Sequence, residues 1–439
     1  MRGYYLLEGF NAFGTNVFFL GVFFHARIIH GFSDSENLLL AAAQGAAYVA
    51  ATRAGGRLAD RVGADRSIAL GLAGMCLALI AGWRLPGVPW LFATIACYSA
   101  STALTWPALE AAIARAPGQS ALARRAGLYN VIWSLVGAAG FFLSGPLFAR
   151  DPETVFWMPL AAHLLQLAGL AAAGSGLLGF SVSPATHRAK GWREGGARGR
   201  ALRSRDERSR QPTRPETISD EAEHGQVQGG PQRPDPGAIT RTATPASLRI
   251  SPEARAGYLS AARIANGIGY FLFGAFSALA PTIGERLGLG ARLAIWLVSV
   301  YLFARSASFL LFWRWSGWEY RRRWLAASLL LPPAALAAAF YATSSATVVG
   351  ALVVLGVLSG VAYSASLYAS LDREGGEGEG GGLHERVIGI GVLLGPLAGA
   401  AGIRLFDGAT SAGGLVAALG AAVAVTGLAP LLRKRPRPS

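Results

Sequence analysis

Runs of about twenty apolar residues recur along the whole chain, separated by short polar segments, and a run of that length crosses a hydrocarbon core of about 30 Å as a helix. The pattern predicts spans at 4–25, 37–54, 67–83, 88–110, 127–149 and 155–180, then at 257–280, 292–313, 324–342, 347–371, 386–406 and 411–432. Residue-by-residue alternation of apolar and polar positions, the mark of a membrane barrel, is absent. The expected fold class is an all-α polytopic membrane protein with twelve transmembrane helices, six on each side of a central break.

The break is different in kind. Residues 181–256 are rich in Arg, Pro, Gly, Gln and Glu, and Trp192 is nearly their only aromatic residue. Such a segment buries too little apolar surface to offset its ordering entropy. It is expected to be a disordered basic cytoplasmic linker between helical units at 1–180 and 257–433, with 434–439 as a tail; the Arg-dense stretch 188–214 leaves a lipid-binding or regulatory arm as the alternative. The run Gly375 to Gly382 reads as a flexible loop. At the N-terminus, Glu8, Asn11 and Asn16 interrupt the first apolar run, which is therefore read as a retained span rather than a cleaved signal.

Composition agrees with burial in lipid. The 439 residues are 52% hydrophobic and only 15% charged, whereas a soluble domain carries about a quarter charged residues. The formal charge of +15 would suit nucleic acid, but the arginines fall in loops on one side. Arg57, Arg61 and Arg66 follow span 2, Arg124 and Arg125 span 4, Arg321, Arg322 and Arg323 span 8, and Arg433, Lys434 and Arg435 span 12. Opposite loops carry few: Arg27, Arg84, Arg150 and Arg286. By the positive-inside rule both termini are expected in the cytoplasm, the protein in the inner membrane, and no nucleic acid as partner. Cys76 and Cys97 lack metal-ligand spacing and read as small buried hydrophobes.

Two features bear on family. Short elements repeat between the halves: Tyr98-Ser99-Ala100-Ser101 in span 4 and Tyr363-Ser364-Ala365-Ser366 in span 10, with Gly145-Pro146-Leu147 in span 5 and Gly395-Pro396-Leu397 in span 11. Such parallel repeats mark the halves of transporters. Between spans 2 and 3 lies Gly56-Arg57-Leu58-Ala59-Asp60-Arg61-Val62-Gly63, a charged turn flanked by glycines. This segment resembles the signature loop of the major facilitator superfamily, with Gly56, Leu58, Ala59, Asp60, Arg61 and Gly63 matching position by position. Ala64-Asp65 departs from the basic pair usual there, and span 4 lacks the Arg of many proton-coupled members. The resemblance implies two six-helix bundles related by a pseudo-two-fold axis, a secondary or facilitative transporter working by rocker-switch alternating access, and a gate role for Gly56, Asp60, Arg61 and Gly63.

Polar side chains within spans are costly unless they face protein or water, and helical spacing groups them on stripes. Span 1 offers Glu8, Asn11 and Thr15. Span 2 offers Gln44, Tyr48 and Thr52. Span 4 offers Thr94, Tyr98, Ser101 and Thr105 with Trp106 and Glu110 nearby, and span 7 Arg263, Asn266, Tyr270, Gly274 and Ser277. Tyr301, Arg305 and Ser308 share a stripe on span 8, as do Ser359, Tyr363, Ser366 and Ser370 on span 10. The expected cavity residues are Glu8, Asn11, Gln44, Tyr48, Tyr98, Trp106, Arg263, Asn266, Tyr270, Tyr301, Arg305 and Tyr363. Three readings of Glu8 stay open: an ion pair with Arg263, a place in the headgroup layer, or a proton carrier. Arg305 either binds an anionic group of the solute or snorkels to the cytoplasmic surface. His163 and Gln166 read as a packing pair.

No nucleotide-binding glycine loop is present, and no His, Glu or Asp cluster has metal-ligand spacing. Neither an enzyme, a cofactor nor a metal is expected. The expected function is transport of a small polar organic solute by a monomer, with the coupling ion open; the alternative is a non-transporting sensor on the same scaffold.

Overall fold

The computed structural model describes residues 2–114, 122–174, 250–374 and 378–432, and among them helix is the only extended regular structure. The first six helices are α1 (Arg2–His30), α2 (Asp34–Val62), α3 (Ala64–Arg84), α4 (Val88–Ala114), α5 (Leu122–Phe148) and α6 (Thr154–Gly174). The next six are α7 (Pro252–Arg286), α8 (Ala291–Arg314), α9 (Arg322–Tyr341), α10 (Ser345–Glu374), α11 (Gly378–Phe406) and α12 (Gly408–Leu432). Ten of these twelve are long and apolar enough to cross a membrane; α2 and α4 are not in that set. Their exception has a cause in the sequence, because both spend positions on Gln44, Tyr48 and Thr52 or on Ser99, Ser101, Thr102 and Thr105. Positions 181–249 of the expected linker and the tail 434–439 lie outside the described residues, and from Pro252 the chain is already helical, capped by Ser251.

Polarity is distributed inside out. Leu77 is 68% exposed and Val425 63%, while Glu8 and Asn11 are fully buried. In water this would be an aggregation surface; in lipid it is the expected arrangement, with polar groups inside and each helix satisfying its own backbone. Prolines such as Pro107, Pro146 and Pro396 sit inside helices, as membrane helices tolerate. Cys97 corrects the expectation of two buried thiols: Cys76 is buried, but Cys97 is exposed on the outer face of α4. An apolar run alone does not tell a lipid-facing position from an inward one.

Within the first half α1 packs on α5 and α6, α3 on α4 and α6, and α2 on α4; within the second, α7 packs on α10, α11 and α12, and α9 on α10 and α12. The helices on either side of the central segment belong to one compact unit. Two seams join them, α2 against α11 and α5 against α8. Gly45 makes the first possible, since a Cβ there would strike the Leu393 backbone, and a Cβ on Gly389 would come within 2.7 Å of Val49.

Two sequence expectations about loops are corrected. Gly56 to Val62 are not a turn: α2 runs through them, and the break is confined to Gly63, whose φ of 89° lies in the left-handed region. Nothing in that stretch prevents helix, and only glycine takes such a φ at little cost. Likewise Gly378 to Gly382 open α11 instead of forming a loop. The helix therefore starts early enough to carry His384 and Glu385 within it.

Candidate functional site

The helices run back and forth, so their ends gather at two faces. At the Gly63 face, the Tyr4 hydroxyl donates to Asp65 at 2.9 Å and Tyr320 donates to Asp372 at 2.6 Å. At the far face, Arg27 from the end of α1 meets Glu285 from the end of α7 in a two-pronged pair at 2.7 and 3.0 Å, and lies 3.7 Å from Asp34. The Thr282 hydroxyl also donates to Asp34. These contacts tie the two halves together at the far face.

Between the faces, at the boundary of the halves, lies a cavity of about 120 Å³ whose wall includes Gln44, Tyr48, Trp106, Trp133, Tyr270 and Arg305. An adjoining cavity of about 50 Å³ shares Trp106, Trp133 and Tyr270 and adds Tyr129, Tyr363 and Glu385. A separate cavity of about 230 Å³ opens toward the Gly63 face between α5, α8 and α10, with Arg124, Arg314 and Glu319 on its rim. Burial holds the Glu319 carboxyl above the usual carboxylate range, against the hydrogen bond it accepts from Tyr368.

Arg305 does not snorkel. It is 4% exposed, donates to the Tyr270 hydroxyl at 2.7 Å, and its guanidinium lies 4.8 Å from the Trp133 ring, 5.0 Å from Tyr270, 5.1 Å from Tyr363 and 5.5 Å from Phe309. Among the described residues it forms no ion pair, and its Nε has no hydrogen-bond partner. Ring faces offset part of the cost of burying the cation, yet a guanidinium has five donors in a fixed fork, and few are used. The unused part of that fork has the geometry that pairs with a planar anionic group such as a carboxylate.

A second cluster sits beside it. One carboxylate oxygen each of Glu110 and Glu385 and a ring nitrogen of His384 lie within 4.8 Å of one another, all buried. Tyr48 donates to Glu385 at 2.5 Å, Tyr363 donates to Glu110 at 3.4 Å, and His384 Nδ1 lies 3.0 Å from Ser366 Oγ. The expectation that no such cluster forms is thereby corrected. A tyrosine hydroxyl sits on one oxygen of each carboxyl, while Glu110 Oε2 and His384 Nε2 have no hydrogen-bond partner.

The expected cavity residues divide. Gln44, Tyr48, Trp106, Tyr270, Arg305 and Tyr363 stand on the walls of the two central cavities. Tyr98 does not: it packs against Phe18 and Phe19 and meets His163 Nε2 at 2.7 Å, inside the first half. His163 and Gln166 pair as expected, at 2.7 Å. Tyr301 stacks on Phe273 and hydrogen-bonds Ser359. Asn11 donates to Thr105, Asn266 is buried, and Arg263 donates to Ser370. No Glu8–Arg263 ion pair forms among the described residues: Glu8 is fully buried beside Trp106, Tyr129 and Asn11, and that burial also excludes the headgroup layer. Sequence reasoning missed Trp133, His384 and Glu385. Helical spacing back from Ile388 and Val392, which face the cavity, reaches His384 and Glu385 at i−4 and i−3, but only once α11 is known to start before them.

Comparison with known proteins places this geometry. The family model described as Major Facilitator Superfamily matches residues 5–209. Among solved structures the chain resembles a peptide transporter POT in complex with alafosfalin, with a TM-score of 0.65, 16% identity, and 98% of this chain and 94% of that one covered. A POT family transporter in complex with 5-aminolevulinic acid gives a TM-score of 0.65 at 12% identity, covering 99% and 96%. The nucleoside transporter NupG gives 0.62 at 10% identity, covering 99% of each chain. At such identities the likeness is one of fold. No curated protein matches the chain.

Proposed function

We propose that the chain, whose residues 5–209 match the model of the major facilitator superfamily, is a transmembrane transporter of that family and moves a small polar organic solute, bearing an anionic group, by alternating access. The carrying observation is Arg305: a buried guanidinium without an ion pair among the described residues, on the wall of a cavity at the seam between the halves. The solute's anionic group binds Arg305, and Trp106, Trp133 and Tyr270 enclose its body. The halves, 1–180 and 257–433, are two six-helix bundles that rock about the α2–α11 and α5–α8 seams. All twelve helices span the membrane, α2 and α4 included, because their polar positions face inward. The Gly63 face is cytoplasmic, as the arginine-rich loops require, and the membrane is the inner one. Gly56, Asp60, Arg61 and Gly63 brace that face when it is closed. The protein is a carrier without catalytic chemistry and works as a monomer.

The test is a thermal-shift screen of the purified full chain against amino acids, dicarboxylates and sugar phosphates, each beside an uncharged counterpart, followed by flux in proteoliposomes. Anionic solutes should stabilise and be carried, and their neutral counterparts should not. Equal stabilisation by the neutral set, unaffected by Arg305→Gln, would overturn the assignment of Arg305. In the same vesicles Asp60→Asn should slow flux severely while the protein still inserts.

A further inference from the structure

The carboxyls of Glu110 and Glu385 belong to different halves, and so do the tyrosines that hold them. Tyr363 on α10 donates to Glu110 on α4, and Tyr48 on α2 donates to Glu385 on α11. The two bonds therefore cross the seam in opposite directions. Glu110 is 6% exposed, Glu385 2% and His384 0%. Glu110 Oε2 and His384 Nε2 are buried with no hydrogen-bond partner. The cluster lies toward the Gly63 face, since Glu110 is near the last turns of α4 and Glu385 near the first turns of α11.

Two carboxylates that share a dry site cannot both carry charge at low cost, whereas one proton between them turns repulsion into a charge-assisted hydrogen bond. The other charged and titratable groups around the cluster relieve this only in part, because the acids there outnumber the cations. From α1 comes Glu8, a further acid, and from α5 Tyr129, a neutral phenol. Arg263 on α7 spends a donor on Ser370, and Arg305 on α8 spends one on Tyr270, a phenol of α7. His384 on α11 is tied to Ser366.

We propose that Glu110 and Glu385 hold one shared proton across the seam, forming a clasp that keeps the Gly63 face closed and lets it part when the proton leaves. The site exists only while the halves meet there. Parting breaks both tyrosine bonds and brings the carboxyls to water, where each ionises and the proton passes to the solvent at the Gly63 face. Closing takes one proton back. The inference rests on the alternating-access reading, because it requires that the halves part.

The test needs no known solute. In the full chain with Cys76→Ala and Cys97→Ala, spin labels at Arg66→Cys and Arg323→Cys report the separation at the Gly63 face, and labels at Arg84→Cys and Thr343→Cys report the far face. Raising the pH from about 5.5 to about 8.5, a span that brackets a shared carboxyl proton, should lengthen the 66–323 distance and shorten the 84–343 distance. E110Q and E385Q should each stay short at both pH values, because an amide beside one carboxylate never gives two charges. H384Q and E8Q should keep the wild-type response. Tyr48→Phe combined with Tyr363→Phe should open the Gly63 face even at the low pH. This double variant leaves both carboxyls in place and reads the clasp if a glutamine variant fails to fold. The proposal is overturned by a wild-type distance that ignores pH, by E110Q and E385Q responding as wild type does, or by H384Q or E8Q alone abolishing the response. Stoichiometric binding of Zn²⁺ that H384Q removes would also overturn it, in favour of a metal centre. Distances that move with a stabilising solute but not with pH would sink the shared proton alone; distances that move with neither would sink alternating access as well.

Discussion

Arg305 hands one hydrogen bond to Tyr270 and presents the rest of its guanidinium to rings of Trp133, Phe309 and Tyr363. The planar fork and the stacking both need arginine, and lysine supplies neither. Arg305→Lys should therefore cost solute affinity of the order of tenfold or more, about 1.4 kcal/mol, while the thermal stability of the unliganded protein changes little; titration of the purified variant with the best anionic solute measures it. The sequence named this residue because a charge inside an apolar run is expensive wherever it sits. It could not choose between cavity and snorkelling, which depends on whether aromatic side chains from α5, α7 and α10 close around it. Tyr98 and Tyr363 show the same limit from another side. They occupy matching places in a repeated Tyr-Ser-Ala-Ser element, yet Tyr98 meets His163 within one half and Tyr363 reaches Glu110 across the seam.

At the scale of helices, α2 and α3 are joined by a single residue. Gly63 has nothing within 4 Å of where a Cβ would stand, so its φ of 89° is the only demand it makes. Gly63→Ala should cost about 1–3 kcal/mol of backbone strain, visible as a lowered unfolding midpoint, and should disturb the angle at which Asp60 and Arg61 are held. The α2–α11 seam makes a different demand. Gly45→Leu would force α2 off the Leu393 backbone, and overpacking of this kind costs about 1–3 kcal/mol. Because that cost falls on the seam, the variant should weaken flux more than it weakens folding within either half, which parallel flux and unfolding measurements can separate. Periodicity located these helices, since apolar length is a property of the chain. It placed the end of α2 and the start of α11 wrongly, because charged and glycine-rich ends read as loops until packing shows that they continue the helix.

For the whole molecule, contacts close the seam on both sides of the cavity: the Glu110–Glu385 cluster toward the Gly63 face and Arg27 with Glu285 and Asp34 at the far one. The Arg27 and Glu285 side chains are 25% and 52% exposed, and exposed pairs are worth about 0–1 kcal/mol. Glu285→Gln should accordingly shift the balance toward opening at the far face by no more than about fivefold, with the 84–343 spin-label distance as the readout. A larger shift would mean that Arg27 and Asp34 work as a network. The sequence by itself determined that the chain lives in a membrane, that it is built of helices in two halves, and which family signature it carries. Apolar length, loop charge and local motifs are all written in consecutive residues. Which polar residues meet was decided only by the tertiary structure. Glu110 and Glu385 are separated by well over half of the chain, and only the packing of α4 against α11 turns them from two costly acids into one site. The same packing leaves Arg305 within reach of the cavity and moves Tyr98 and Tyr301 out of it, because a stripe on a helix fixes a face and only its neighbours fix what that face sees.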